Sequence, residues 1–222
     1  MADPDLFRFT KPTLLEFDSI VRRQGYSSLA GVDEAGRGPL AGPVVAAAVI
    51  LPDGVELPEV NDSKKLSPAK REEIFEVIMA TALAVGVGES DADLIDRINI
   101  LQATLAAMKD AVALLTVKPD YILVDGISKI PALLHQKTVK KGDATSLSIA
   151  AASIIAKVHR DRLMKEYHEQ FPEYGFAGHK GYGSPEHFKA IATYGPCPIH
   201  RLTFRGVREH LNRNKASGRV ES

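Results

Sequence analysis

Apolar residues follow a helical spacing first and a strand-like spacing next along the start of the chain. The three- and four-residue intervals between apolar side chains predict an amphipathic helix within residues 13–24, formed around Leu14, Phe17, Ile20 and Val21. Residues 29–34 and 44–51 are short apolar runs of the β type, separated by a turn rich in glycine and proline. This part of the chain therefore predicts one helix followed by two strands.

Helices and strands alternate from residue 67 onward. Ser67-Pro68 is typical of a helix N-cap followed by proline in the first turn. The apolar stripe expected for that helix consists of Ile74, Val77, Ile78 and Met79. A strand is predicted over 82–87 and a helix over 98–117. The side of the 98–117 helix expected to face the core carries Leu101, Leu105, Met108, Val112 and Leu115.

The C-terminal half predicts strands at 121–124 and 138–139, a long helix over 142–170, and shorter helices over 185–193 and 204–212. Strands come early and then alternate with helices. This order predicts an α/β domain with a mixed β-sheet.

Charge is distributed unevenly, although 28 basic and 28 acidic side chains give no net charge. Residues 1–134 carry 13 basic and 20 acidic side chains, whereas 135–222 carry 15 and 8, together with all seven histidines. The asymmetry indicates either an anionic partner for the C-terminal part or simply an uneven solvated surface.

The cytoplasm is the expected location. The N-terminus lacks a secretory pattern, and the longest apolar run, residues 43–51, is far below the roughly 20 residues of a membrane helix. The single cysteine, Cys197, excludes an internal disulfide and stands between two prolines, where a structural role fits better than a nucleophilic one. Zinc is disfavoured, because paired cysteines and a His-Glu-x-x-His pattern are absent.

Four carboxylates stand where the predicted elements begin or end. Asp33 and Glu34 end the first strand, Asp125 ends the strand before Gly126, and Asp143 begins the long helix. Sites in α/β sheets form beyond strand ends, so these groups could converge. Converging carboxylates need a cation, and oxygen ligands select Mg²⁺ or Mn²⁺. Two such ions could activate a water and stabilise the leaving oxygen of a phosphodiester.

Each carboxylate also has a simpler interpretation. Asp125 could belong to an Asp-Gly turn, Asp143 could be a helix N-cap, and the other two could form a polar strand end. Adjacent strand residues point to opposite faces, so Asp33 and Glu34 can share a site only if the strand ends or bulges at Glu34.

Three further segments could contact an anionic ligand. The glycines of Gly36-Arg37-Gly38 let the backbone approach a phosphate, although Gly-x-Gly-Pro is also ordinary turn chemistry. Lys64, in a polar turn, could contact a phosphate or only solvent. Tyr182 lies in a glycine-containing loop and could pack on a sugar or base.

Several blocks of the sequence occur together, in order, in one known family. The blocks are Gly31-Val-Asp-Glu-Ala-Gly-Arg-Gly38 with Leu40-Ala-Gly-Pro43, Asn61-Asp-Ser-Lys-Lys-Leu-Ser67, Val124-Asp-Gly126, Lys141-Gly-Asp143, Ala151-Ala-Ser-Ile-Ile-Ala-Lys157 with Arg160-Asp161, His179-Lys-Gly-Tyr182 and Pro198-Ile-His-Arg201. Through these blocks the chain resembles ribonuclease HII from about Leu29 to Leu202.

The resemblance implies a ribonuclease H-like mixed β-sheet flanked by helices, with a small C-terminal helical lobe. The expected division is an N-terminal helical segment (1–28), a catalytic domain (29–183), and a lobe with a polar tail (184–222).

The implied activity is hydrolysis of the RNA-containing strand of RNA/DNA hybrids, and of ribonucleotide-containing duplex DNA on the 5′ side of the ribonucleotide. It leaves 3′-hydroxyl and 5′-phosphate ends and implies a part in ribonucleotide excision repair. A monomer without an obligate protein partner is expected.

The resemblance also implies roles for particular residues. Two Mg²⁺ or Mn²⁺ ions would be held by Asp33, Glu34, Asp125 and Asp143. The expected substrate-binding residues are Gly36, Arg37, Gly38, Lys64, Ser146 and Tyr182. Among these, the glycine-rich loop would sense the 2′-hydroxyl, Tyr182 would pack on the adjacent sugar, and Lys64 would contact a phosphate.

Alternatives from other classes remain. A ribonuclease HIII-type enzyme usually carries a further N-terminal domain and a glutamate as its last metal ligand, whereas this chain has Asp143 and about 28 residues before the first block. A non-catalytic junction-binding module would tolerate loss of a carboxylate, yet all four are present. An aspartyl phosphotransferase would form a phospho-aspartate. A scaffold protein would not need these carboxylates.

Overall fold

The computed structural model describes residues 12–60 and 66–211. Its strands are β1 (Leu29–Ala35), β2 (Val44–Ile50), β3 (Ala84–Ser90), β4 (Tyr121–Asp125) and β5 (His135–Val139). Its helices are α1 (Leu14–Arg22), α2 (Pro68–Thr81), α3 (Ala92–Ala113), α4 (Leu147–Gln170), α5 (Phe176–His179) and α6 (Pro185–Tyr194). Three 3₁₀ turns lie at Gly142–Ala144, Pro172–Tyr174 and Arg208–His210.

The five strands form one mixed sheet in the order β3-β2-β1-β4-β5. The two neighbours β1 and β2 are antiparallel, as are β2 and β3, whereas β1, β4 and β5 run parallel. The carboxyl ends of β1 and β4 therefore meet at the same edge of the sheet. The predicted α/β architecture is confirmed.

Helices cover both faces of the sheet, so β2, which lies between β3 and β1, is buried along its whole length. Ala46 and Ala48 face α3, and Ala47 and Val49 face the opposite layer of α2 and α4. Gly31 lets α4 approach closely, because a Cβ there would stand 2.1 Å from the carbonyl carbon of Ser148. This contact sets α4 directly against the strand that carries Asp33 and Glu34.

The C-terminal helices pack on the second half of α4 and on the turn after β1. Their core joins Met164 and Leu40 to Tyr174, Phe176 and Ile191. Over the described parts of the chain, none of the helices combines the length and apolarity that crossing a bilayer requires.

Several sequence-based boundaries were wrong. The third helix begins at Ala92, with Asp91 as its N-cap, and kinks at Asn99, whose side chain accepts from the N–H groups of Leu101 and Gln102. The start predicted at residue 98 therefore lies beside this internal cap, inside the helix rather than at its N-terminus. This helix ends at Ala113, before the predicted end at residue 117.

Four residues assigned to apolar stripes are exposed instead. They are Ile20, Val77, Met79 and Leu101. Only Ile74 and Ile78 of the predicted α2 stripe point inward, together with Phe75.

Two predicted helices are shorter than expected. The long helix starts at Leu147, because Ser146 caps it and residues 142–144 form a separate 3₁₀ turn. Of the helix predicted over 204–212, the structure has only the turn at Arg208–His210 within the described residues. The positive φ of Gly206 interrupts any helix there.

Candidate active site

Three carboxylates converge at the sheet edge where β1 and β4 end. Asp33, Glu34 and Asp125 each present an oxygen, and these oxygens all lie within 4.8 Å of one another. The convergence follows from the parallel pairing of β1 with β4, which brings both strand ends to one place. The strand-end argument from the sequence thus accounts for Asp33 and Asp125, whereas alternation along β1 argued against Glu34.

The expected end or bulge of the strand at Glu34 is wrong. Asp33 and Glu34 pair regularly with Ala47 and Ala46, and β1 continues to Ala35. The two side chains nevertheless reach the same space. The Asp33 carboxylate turns back to accept from the N–H of Glu34 at 2.7 Å, and the Glu34 carboxylate lies 3.4 Å from the guanidinium of Arg37.

Asp143 is buried but lies outside that group of three. Its position is nevertheless tied to the group, because the N–H of Gly142 donates to Asp125 Oδ1 at 2.6 Å. A Cβ on Gly142 would stand 3.0 Å from that same oxygen, so glycine allows the close approach. The 3₁₀ turn therefore holds Asp143 beside the cluster.

The electrostatics of the cluster favour a cation. Burial, followed by the charges of Glu34 and Asp125, raises the pKa of Asp33 well above its usual value. The N–H of Glu34 and the side chain of Ser153 oppose this shift by hydrogen bonding to the carboxylate. Oxygen ligands without sulfur or nitrogen suit hard divalent ions such as Mg²⁺ and Mn²⁺. The residues present therefore fit a divalent metal site.

A cleft of about 270 Å³ opens over the carboxylates. Gly36, Arg37, Gly38 and Tyr182 form one part of its lining, and α4 residues contribute another part. The Tyr182 ring is half exposed, and a Cβ on Gly38 would meet its edge at 3.6 Å. The structure thus brings the glycine-rich loop and the tyrosine together above the acidic group.

The α4 residues in the cleft were not assigned roles from the sequence. Ser153, Lys157 and Arg160 lie about one helical turn apart, and this spacing was the available signal. Lys157 bonds Asp161 at 2.7 Å, which holds the ammonium group at the cleft wall.

Ser146 and Lys64 were also expected to contact the substrate. Ser146 is fully buried, donates to Asp18 at 2.6 Å and caps α4, and its expected contact with substrate stays a prediction. Asp18 also accepts from the N–H and hydroxyl of Ser148. Lys64 lies outside the described residues.

Comparisons with known proteins agree with one another. The family described as Ribonuclease HII matches residues 30–207. A Ribonuclease HII of Geotalea daltonii is 75% identical over 211 residues, which cover 95% of this chain and 98% of that protein. One from Geobacter sulfurreducens is 65% identical, over 92% of this chain and 94% of that protein.

A solved structure extends the similarity to the fold. The crystal structure of the ribonuclease H2 from Pyrococcus horikoshii aligns with a TM-score of 0.71 and 29% identity, over 85% of this chain and 99% of that one. The mixed sheet with helices on both faces is therefore the ribonuclease H-like fold.

Proposed function

Because the chain belongs to the ribonuclease HII family and is a ribonuclease H endonuclease, we propose that it also cuts duplex DNA on the 5′ side of an embedded ribonucleotide, using two divalent ions. The observation that carries the proposal is the group formed by Asp33, Glu34 and Asp125, with Asp143 held beside it. Such a group is costly to bury without cations.

The four carboxylates would hold Mg²⁺ or Mn²⁺ in this proposal. Ions bound there would lower the pKa of an attacking water and stabilise the departing 3′ oxygen. The products are a 3′-hydroxyl and a 5′-phosphate. The chain's own part is to fix the carboxylate oxygens, through the Glu34 N–H on Asp33 and the Gly142 N–H on Asp125.

Selectivity for ribose is assigned to the glycine-rich loop and Tyr182. Backbone N–H groups of Gly36-Arg37-Gly38 can approach a nucleotide closely, because no side chain intervenes at either glycine. The half-exposed Tyr182 ring stands ready to pack on a neighbouring sugar. The 2′-hydroxyl is the only group that marks a ribose within DNA, so a donor at this point can discriminate.

The net positive charge of residues 135–222 supports a duplex partner, and Lys64 stays a proposed phosphate contact. Binding should weaken as salt rises, because phosphate contacts release counterions. A flat salt dependence would contradict this part of the proposal. We also propose that the chain acts in the cytoplasm, as a monomer, in the removal of ribonucleotides from DNA.

A non-catalytic junction-binding module is the alternative from another class. It needs the cleft but not the carboxylates. The test uses a labelled DNA duplex containing one ribonucleotide, with an all-DNA duplex as control. Both are incubated with Mg²⁺ or with chelator, beside an Asp143→Asn variant.

We expect one Mg²⁺-dependent cut at the ribonucleotide, lost in the variant and absent from plain DNA. If the protein cuts long RNA/DNA hybrids but not the duplex with one ribonucleotide, the endonuclease activity stands and the proposed selectivity for a single embedded ribonucleotide is wrong. Binding without cutting in either Mg²⁺ or Mn²⁺ would favour the module.

A further inference from the structure

A buried arginine lies directly behind the glycine-rich loop. Arg201 has no exposed surface, and its guanidinium donates to the carbonyl oxygens of Gly36 at 2.5 Å, Arg37 at 2.9 Å and Gly42 at 2.9 and 3.1 Å. Across residues 12–60 and 66–211, no carboxylate lies within 4 Å of it, and Asp96 acts only at longer range. The cation is therefore balanced mainly by backbone carbonyl groups.

Burying a charge in this way is costly, so the arrangement calls for a physical reason. Burial lowers the pKa of Arg201 to about 9, which still leaves the guanidinium charged at neutral pH. A charged donor holds a carbonyl more firmly than a neutral one does. The result is a rigid loop where glycine would otherwise allow many conformations.

The bonds to Arg201 also determine where the loop's N–H groups point. In a planar trans peptide the carbonyl and the following N–H point in opposite directions. When the carbonyls of Gly36 and Arg37 face Arg201, the N–H groups of Arg37 and Gly38 face away from it. The loop lines the cleft, whereas Arg201 lies behind the loop and does not line it. The N–H groups of Arg37 and Gly38 therefore point toward the cleft.

These two N–H groups are available to a ligand. Within the described parts of the chain, neither has an acceptor at hydrogen-bond distance. Neighbouring N–H groups on such a loop make a concave site for an oxygen acceptor.

Backbone hydrogen bonds fix the segment that carries Arg201 against the turn after β1. Its N–H donates to the carbonyl of Leu40 at 2.9 Å, and the N–H of Gly42 donates to the carbonyl of Ile199 at 2.8 Å. The same turn is tied to the tyrosine loop, because the N–H of Leu40 donates to the carbonyl of Gly181 at 2.8 Å. Arg201 thus links the glycine-rich loop to the segment that presents Tyr182.

We propose that Arg201 is a positioning residue for ribose selectivity: it aims the N–H groups of Arg37 and Gly38 at the 2′-hydroxyl of a ribonucleotide in the cleft. The proposal rests on the proposed function, since it concerns the same site. It predicts that losing Arg201 weakens the distinction between ribose and deoxyribose more than it weakens duplex binding.

The experiment compares wild type with Arg201→Gln and Arg201→Lys, and uses Arg205→Gln as an exposed control. Thermal unfolding first identifies a temperature at which every variant is folded. Fluorescence anisotropy without divalent metal then gives Kd for a duplex with one ribonucleotide and for its all-DNA counterpart. Cleavage kinetics in Mg²⁺ give kcat and KM for the single-ribonucleotide duplex and for a long hybrid.

We expect the Kd ratio of deoxy to ribo duplex to fall about tenfold in Arg201→Gln, as loss of one hydrogen bond worth about 1.4 kcal/mol implies. Arg201→Lys, which keeps the charge but not the fork of donors, should restore part of the ratio. It also provides the test if the glutamine variant does not fold. Arg205→Gln should keep the wild-type ratio, because a lost surface charge would weaken binding of both duplexes alike.

A Kd ratio that stays at the wild-type value in folded Arg201 variants, with both duplexes weakened by the same factor or not at all, would overturn the proposal. That result would mean that the loop holds only a phosphate or that Arg201 serves stability alone. Failure of the proposed function looks different, because wild type itself would then show no discrimination and no cut at a single ribonucleotide.

Discussion

Replacing Asp33 with asparagine should stabilise the metal-free protein while abolishing its activity. Asp33 is 5% exposed, and its oxygens lie within 4.8 Å of oxygens on Glu34 and Asp125. At that distance each pair of like charges costs about 3 kcal/mol at an effective dielectric constant of about 20. The substitution removes this repulsion, and the new amide can donate to either neighbouring carboxylate.

The net gain should be smaller than the summed repulsion. The Glu34 N–H and Ser153 both favour the ionised form of Asp33, and the amide loses part of those bonds. Protonation of Asp33 also limits the cost in wild type. We therefore expect a gain of about 1–3 kcal/mol, or roughly 5 °C in Tm for a chain of this length.

The pH dependence follows from the direction of the pKa shift. The pKa of Asp33 is raised in the folded state, mainly by burial, so wild type loses stability as pH rises from the unfolded value of 3.8 through the raised one. The Asp33→Asn variant lacks this loss, so its advantage should be larger at pH 8 than at pH 5.

Thermal unfolding in chelator, and then in Mg²⁺ or Mn²⁺, measures both effects. Wild type should gain Tm from the metal, and the variant should gain much less, because a ligand that binds only the folded state stabilises it. Asp110→Asn, at an exposed helix position, is the matched control. A variant that is less stable than wild type in chelator, or that gains as much from metal, would refute the reasoning.

Three further outcomes are expected. Tyr182→Ala should lower kcat/KM on the single-ribonucleotide duplex at least tenfold, while Tyr182→Phe keeps the ring and most of the activity; equal losses would contradict sugar packing. Burial lowers the pKa of His187 and His200 to about 4, so the stability that these groups contribute should be complete above pH 6.5 and should fall as pH decreases toward 4. A variant with both His187→Gln and His200→Gln should show a urea midpoint that depends less on pH across that range. A wild-type midpoint that does not change with pH would contradict this. Gly31→Ala should lower the urea midpoint strongly, since its Cβ would overlap the α4 backbone, whereas Gly178→Ala has open space; equal midpoints would be inconsistent with that packing.

The sequence was most informative where one local rule determined the outcome. Asp33 and Asp125 could be placed together because strand ends in an α/β sheet meet at one edge. Glu34 could not be placed by that rule, since alternation along a strand sends it to the other face. In the structure the Asp33 carboxylate accepts from the N–H of the next residue, Glu34, while both side chains reach the same space, and no pattern in the sequence encodes those rotamers.

Tertiary contacts account for what the sequence did not reveal. The kink at Asn99 depends on a side chain that caps an N–H two residues onward, which competes with simple helical periodicity. The position of Arg201 depends on carbonyl groups more than 150 residues away in the chain. Its neighbours in sequence give no indication of those partners.

The ends left on the cut strand test the central claim most directly. Mass spectrometry of both fragments from a duplex with one ribonucleotide, cut in Mg²⁺, identifies the bond broken and the attacking oxygen. The account predicts a cut on the 5′ side of the ribonucleotide, with a 3′-hydroxyl on one fragment and a 5′-phosphate on the other, because water is the nucleophile. A cut on the 3′ side that leaves a 2′,3′-cyclic phosphate would show attack by the ribose hydroxyl, and would contradict hydrolysis at the carboxylate cluster.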